Sequence, residues 1–320
     1  WGWLILFGPA SIVIFLTLIP SPEWLVKQGS EGAVNEAVAT NKRGLIALKE
    51  GNLEKAMGHF NAALKIKPDY AEPMMNIGIV YQTRGDYDRA ITCLNQAINM
   101  GPSKKELIYN NLGMVYGKKG DYDTALRMFL KALEVNVRTA VVYRNIGQIH
   151  LARKNYEAAG EAFRNAVANA PGLLSLYNEM IRDTYYDLTD AEDEEDMEIL
   201  KSVEQTRNIG VTESDLQSYD SQIIEEYTGR DPKLADDYKN LGIAYSRLEQ
   251  PDSAFAAWQA SIRINPRDPE VLNKIGIYFA SRGYLSDALR AFQNAVALRP
   301  NYEEAQFNLD LCRKKLGGGE

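Results

Sequence analysis

Apolar residues along this chain recur three or four positions apart in blocks of about a dozen residues, the spacing of one helical face, and the blocks come in pairs. A Gly-Asn or Gly-Asp step, as at Gly51-Asn52, Gly85-Asp86 and Gly120-Asp121, divides each pair. The pairs repeat. Asn76-Ile77-Gly78 leads to Tyr81, Tyr87, Ala90, Ala97 and Pro102, and Asn111-Leu112-Gly113 leads to Tyr116, Tyr122, Ala125, Phe129 and Ala132. Gly44, Gly78, Gly113 and Gly147 stand 34, 35 and 34 residues apart, and Gly242 and Gly276 resume the step. A fixed period of this length predicts stacked helix pairs, each burying its apolar face against its neighbours.

The punctuation of each pair has a local cause. Gly51, Gly85, Gly120 and Gly283 fall where a first helix must end in a left-handed residue. After Gly51, Gly85 and Gly120 an acidic or amide residue follows, suited to the positive end of the second helix. Pro68, Pro102, Pro171, Pro266 and Pro300 close second helices, because proline cannot continue the ladder. The mid-helix glycines and Ala56, Ala90, Ala125, Ala159, Ala254 and Ala288 are small where two helices must approach closely. Phe60, Leu94, Phe129, Phe163, Trp258 and Phe292 are bulky enough to fill the gaps between them.

On these residues the chain resembles the tetratricopeptide repeat family over about 37–171 and 235–316. The resemblance implies an all-α, right-handed superhelical solenoid of helix-turn-helix repeats. Arg43 and Ala47 weaken the opening helix, Val137 replaces a closing proline, Lys154 replaces a turn glycine, and Pro251 stands for a turn aromatic. Residues 303–316 read as half a repeat that closes the stack with a polar outer face. The expected layout is an anchor at 1–20, a linker at 21–36 and four repeat units at 37–171. A degenerate repeat with an acidic helical insert follows at 172–233, then two units at 234–300 and a capping helix and tail at 301–320. The length suits one elongated solenoid better than two compact domains.

Two segments break the pattern. Residues 1–20 carry no charge and rise about 30 Å as a helix, the thickness of a hydrocarbon core. Trp1 and Trp3 mark one end, Trp24 the other, and Gly8-Pro9 kinks the middle. No small-x-small cleavage site follows, so the segment is expected as an uncleaved single-span anchor. Downstream, Lys27 is the only basic residue before Lys42, beside Glu23, Glu31 and Glu36; that favours repeats outside the cytoplasm, as in a periplasm. The second break lies between Gly147 and Gly242, 95 residues apart and no whole number of steps. It holds an acidic patch: Asp190, Glu192, Asp193, Glu194, Glu195, Asp196 and Glu198. That patch reads either as a docking or cation site or as the solvated first turn of a helix.

Composition narrows the chemistry. With a net charge of −7 and no basic stripe, nucleic acid is disfavoured as a partner. The two histidines, His59 and His150, lie in separate repeats without ligands at metal spacing. No phosphate loop, nucleophile elbow or other catalytic set is present, so the chain is expected to be no enzyme and to need no cofactor or metal. What remains is the inner groove, which the first helices line in solenoids of this family. Asn76, Asn111, Asn145 and Asn240 each precede the apolar-Gly step and are expected to stack into a ladder. Such a ladder suits the backbone of a bound peptide, or else bonds to neighbouring helices. Lys49, Lys118, Arg144, Lys239 and Arg247 are expected to face inward too, with Met75, Ile79, Leu107 and Met114 adding apolar pockets.

The expected partners are therefore other proteins, and the bilayer through residues 1–20. The leading expectation is a membrane-anchored scaffold that binds proteins in its groove. The rival expectation is a structural subunit whose anchor packs on other spanning helices through Gly2, Gly8, Ala10 and Ser11.

Overall fold

The computed structural model describes residues 22–137, 139–170 and 232–317, and for residues 22–31 the backbone alone. The expected anchor at residues 1–20, the side chain of Trp24 and the acidic patch therefore lie outside the described residues. Among the described residues, no helix is long and apolar enough to cross a membrane.

The glycine steps turn the chain as their chemistry requires. Gly51, Gly85, Gly120 and Gly283 adopt φ of 78°, 80°, 83° and 81°. The side chains of Asn52, Asp86, Asp121 and Asn155 then cap the next helix, accepting from the backbone N–H of Lys55, Arg89, Thr124 and Ala158. Lys154 and Glu249 take the same left-handed turn at φ 58° without being glycine.

These steps divide the described chain into thirteen helices. The first eight are α1 (Pro22–Lys49), α2 (Leu53–Ile66), α3 (Ala71–Thr83), α4 (Tyr87–Asn99), α5 (Lys105–Lys119), α6 (Tyr122–Val135), α7 (Ala140–Ala152) and α8 (Tyr156–Ala168). They are followed by α9 (Pro232–Arg247), α10 (Pro251–Ile264), α11 (Pro269–Ser281), α12 (Leu285–Leu298) and α13 (Glu303–Gly317). The stretch read as a linker is thus helical from Pro22 onward. In every complete pair the mid-helix glycine meets the bulky residue of its second helix. At Gly276 a methyl group would stand 2.5 Å from the Phe292 ring, and at Gly78 it would stand 2.9 Å from Leu94. Phe60, Leu94, Phe129, Phe163 and Phe292 are buried in these slots.

The chain divides into two compact units, Trp1–Ser103 and Lys104–Glu320, where a single solenoid was expected. In the first unit, Ala47, Ala56, Phe60, Ile77 and Val80 form the core of α1–α3. In the second, α9 packs directly on α8: Leu234, Ala235, Tyr238 and Leu241 close over Ala159, Phe163 and Val167. Helix α9 thus takes the place of the next first helix, although 63 residues separate its start from the end of α8 in sequence. The stack ends on α13, which buries Ala305, Leu309 and Cys312, the last two against α12. Its outer face is not wholly polar, since Phe307 is 67% exposed and Leu311 44%.

Candidate functional site

Successive first helices are joined by a ladder whose members come from two positions. Asn76 and Asn145, two residues before their glycines, donate Nδ2–H to Oδ1 of Asn41 (3.0 Å) and Asn110 (2.8 Å), three residues before the preceding glycines. Asn308 donates likewise to Asn273 at 3.0 Å. Asn273 in turn donates to the Tyr302 hydroxyl at 3.4 Å, and an Asn41 contact draws the Tyr70 pKa down against the larger upward push of burial. The ladder is real, but its members bond to the neighbouring helix. Asn76 and Asn145 thus follow the expected alternative of bonding to a neighbouring helix, and no such bond is seen for Asn111 or Asn240 among the described residues. Asn41, Asn110, Asn273 and Asn308, which the sequence reading passed over, complete it. Their signal was present as asparagine pairs 35 residues apart.

Between α7 and α9 the same place is held by charge. Arg144 Nε and Nη2 donate to the two carboxylate oxygens of Asp237 at 2.6 Å each. The Asp237 side chain is 0% exposed and that of Arg144 15%. This two-point geometry is the strongest form of the interaction and also the most orientation-dependent. One step further, Lys239 contacts Asp236 at 2.9 Å, Asp268 at 3.1 Å and Glu270 at 3.9 Å. Burial lowers the Lys239 pKa, yet the hydrogen bonds it donates to Asp236 and Asp268 outweigh that and hold the group above its ordinary value. Arg144 and Lys239, expected to await a ligand, are thus engaged within the fold. Lys49, Lys118 and Arg247 remain exposed, and none of them is ion-paired among the described residues.

One turn beyond the ladder, α5, α6 and α7 enclose a pocket of about 330 Å³. Met114, Phe129, Ile149 and Ala152 supply its apolar surface, while Lys118, Tyr122, Asn145 and Gln148 bring polar atoms to it. Asn145 uses Nδ2 on Asn110, which leaves its Oδ1 to accept from a visitor. Few polar groups on an apolar floor is the make-up of a recognition pocket, with size enough for a bulky side chain. Among the described residues, no group of three or more His, Cys, Asp or Glu gathers as a metal site.

Comparison with known proteins gives three kinds of likeness. Tetratricopeptide repeat models match residues 35–103 and 105–172, and a further tetratricopeptide repeat model matches residues 239–303. The BBSome complex member BBS4 of Bos taurus is 23% identical over 252 residues, 78% of this chain and 43% of that protein. The photosystem I assembly protein Ycf3 of Prochlorococcus marinus is 30% identical over 78 residues, 23% of this chain and 45% of that one. The peroxisomal targeting signal receptor of Saccharomyces cerevisiae is 25% identical over 77 residues, 24% of this chain and 13% of the receptor. The chain thus spans less than half the length of each. Among solved structures, the APC/C hetero-tetramer Cut9-Hcn1 matches with a TM-score of 0.56 at 16% identity, over 91% of this chain and 46% of that one. At that identity the likeness is one of fold.

Proposed function

Because the chain belongs to the tetratricopeptide repeat family, with repeat models matching more than half of it, we propose that it is a non-enzymatic scaffold that holds segments of partner proteins against its first helices. The observation that carries this is the pocket between α5 and α7. It combines an apolar floor with the Oδ1 of Asn145 and the ammonium of Lys118, neither of which has a partner among the described residues. Three relatives bear names that speak of complexes, assembly or a targeting signal, which supports a role in gathering proteins.

Residues 1–20 add a membrane anchor in this proposal, supported by twenty uncharged residues flanked by tryptophans. The anchor raises the concentration of the groove near membrane-bound partners, and the scarce downstream lysines favour repeats outside the cytoplasm.

The test is affinity purification of the full chain in mild detergent, with mass spectrometry of co-purifying proteins, for the wild type, Lys118→Glu and Gln148→Ala. Both side chains are exposed, so the fold should survive. Partners should be depleted about tenfold in the variants. Undiminished recovery from both would remove the groove from the account. Partition into the carbonate-soluble fraction would likewise remove the anchor.

A further inference from the structure

The first helices of the second unit present two rows of side chains, at equivalent places on every helix. One residue after each glycine place stand Met114, Gln148, Ile243, Ile277 and Leu311, from α5, α7, α9, α11 and α13. Met114 and Gln148 line the pocket, and Ile277 and Leu311 are 42% and 44% exposed. Four of these five are apolar: Ile277 and Leu311 are exposed, while Met114 and Ile243 are half-buried. Four residues further along each helix stand Lys118, Ala152, Arg247, Ser281 and Lys315. Lys118 and Ala152 line the same pocket, which places this second row beside the first. Its cations alternate with small residues, one charge on every other helix.

The ladder fixes the order of these helices. Asn110–Asn145, Arg144–Asp237, Lys239–Asp268 and Asn273–Asn308 join each first helix to the next. Packed helices lie about 8–10 Å apart. An extended chain rises about 3.3 Å per residue, so about three residues carry it from one helix to the next. Charge decides the rest. Of the carboxylates six places before the glycine place, Asp236 is paired with Lys239 and Glu270 with Lys239 and Arg299, while Glu304 on α13 accepts only from the Tyr302 hydroxyl among the described residues. Lys118, Arg247 and Lys315 have no ion pair among the described residues. Among the described residues the face is therefore mostly apolar, with a positive edge whose cations have no carboxylate partner.

We propose that the second unit selects an extended acidic-apolar segment of a partner protein, with an apolar side chain at every third residue and a carboxylate about every sixth. This rests on the groove reading above and specifies its ligand. The first unit repeats both rows on its own, Leu45 and Ile79 in one, Lys49 and Thr83 in the other.

The probes are fluorescent peptides of about thirteen residues. One carries leucine at every third position and glutamate at every sixth; a second has the same composition with leucine at every second position; a third replaces glutamate by lysine. Binding to the full chain is read by fluorescence anisotropy. The first peptide should bind at least about tenfold more tightly than the other two. Ile277→Lys should weaken it about tenfold, Leu130→Lys on the second helix α6 should leave it unchanged, and Arg247→Glu should shift preference toward the lysine peptide. Equal affinity for the two leucine spacings, or for the two charges, overturns the proposal, as does full binding by Ile277→Lys with helicity intact. If Lys118→Glu abolishes native partner capture while Ile277→Lys leaves it whole, the groove reading stands and this one falls. If neither variant matters, both fall.

Discussion

Among the described residues three buried side-chain polar atoms lack a hydrogen-bond partner: Gln82 Oε1, His150 Nδ1 and Trp258 Nε1. Trp258 fills the slot that phenylalanine fills in most other pairs, and its Nε1 lies against Gly242 with no acceptor among the described residues. An unsatisfied buried donor costs about 1–3 kcal/mol, which offsets much of what the larger ring contributes. Trp258→Phe should therefore leave stability within about 1 kcal/mol of wild type, or raise it, whereas Trp258→Ala should cost about 3–5 kcal/mol. Urea unfolding followed by circular dichroism separates these outcomes. His150 is the second case. Its Nδ1 is buried without a partner, and burial, helped by the nearby Arg153, holds its pKa below the ordinary value against the pull of Glu161. A depressed histidine pKa means that the unfolded chain binds more protons below about pH 6.5, so stability falls as pH falls through that window. Thermal unfolding at about pH 7.5 and 5.5 should show a smaller loss for His150→Leu than for wild type. Equal losses would exclude His150 as a contributor.

At the scale of helices, what matters is how one first helix registers on the next. Elsewhere the residue five before the glycine is apolar (Pro73, Ile108, Val142, Val271), and only at α9 is it Asp237. Its partner Arg144 replaces the ladder asparagine, so the two substitutions make sense only together. Removing one partner of a buried pair costs about 3–5 kcal/mol, while replacing both by apolar groups is often neutral or stabilising. Asp237→Ala should thus destabilise the second unit by about 3 kcal/mol, and Arg144→Met with Asp237→Val should recover most of that. Failure of the double variant to recover would mean that the other interactions of Asp237 outweigh its pair with Arg144. Exposed pairs between neighbouring repeats, Arg84–Glu54, Arg153–Asp123 and Arg282–Asp252, recur at a 30-residue spacing and contribute little each. The sequence showed two of the asparagines of this ladder, Asn76 and Asn145, and left open whether they meet a peptide or a neighbouring helix. The true acceptors sit one position earlier in the preceding helix. Periodicity tells which residues share a face; it does not tell which of two adjacent positions the next helix meets.

For the molecule as a whole, the junction of α8 with α9 carries the clearest consequence. Other second helices hand over to the next first helix through about four residues, as from Ile264 to Pro269 and from Leu298 to Glu303. Because α9 already occupies that neighbouring place, replacing residues 172–230 by a Gly-Ser linker of about eight residues should leave the helix content per residue and the unfolding midpoint of the second unit nearly unchanged. A drop of more than about 10 °C would assign those residues a part in the core.

The sequence by itself determined the helices, their caps, their left-handed turns and the glycine-to-aromatic slots, because each depends on residues within one repeat. It also held both inner rows, as residues one and five positions after each glycine place. Tertiary structure alone decided that α9 follows α8, that Arg144 and Lys239 are tied to carboxylates, and that Lys118 and Arg247 have none among the described residues. The physical reason is that stacking is blind to the length of chain between two helices. A pairing across 93 residues, such as Arg144 with Asp237, leaves no local trace until the surfaces meet.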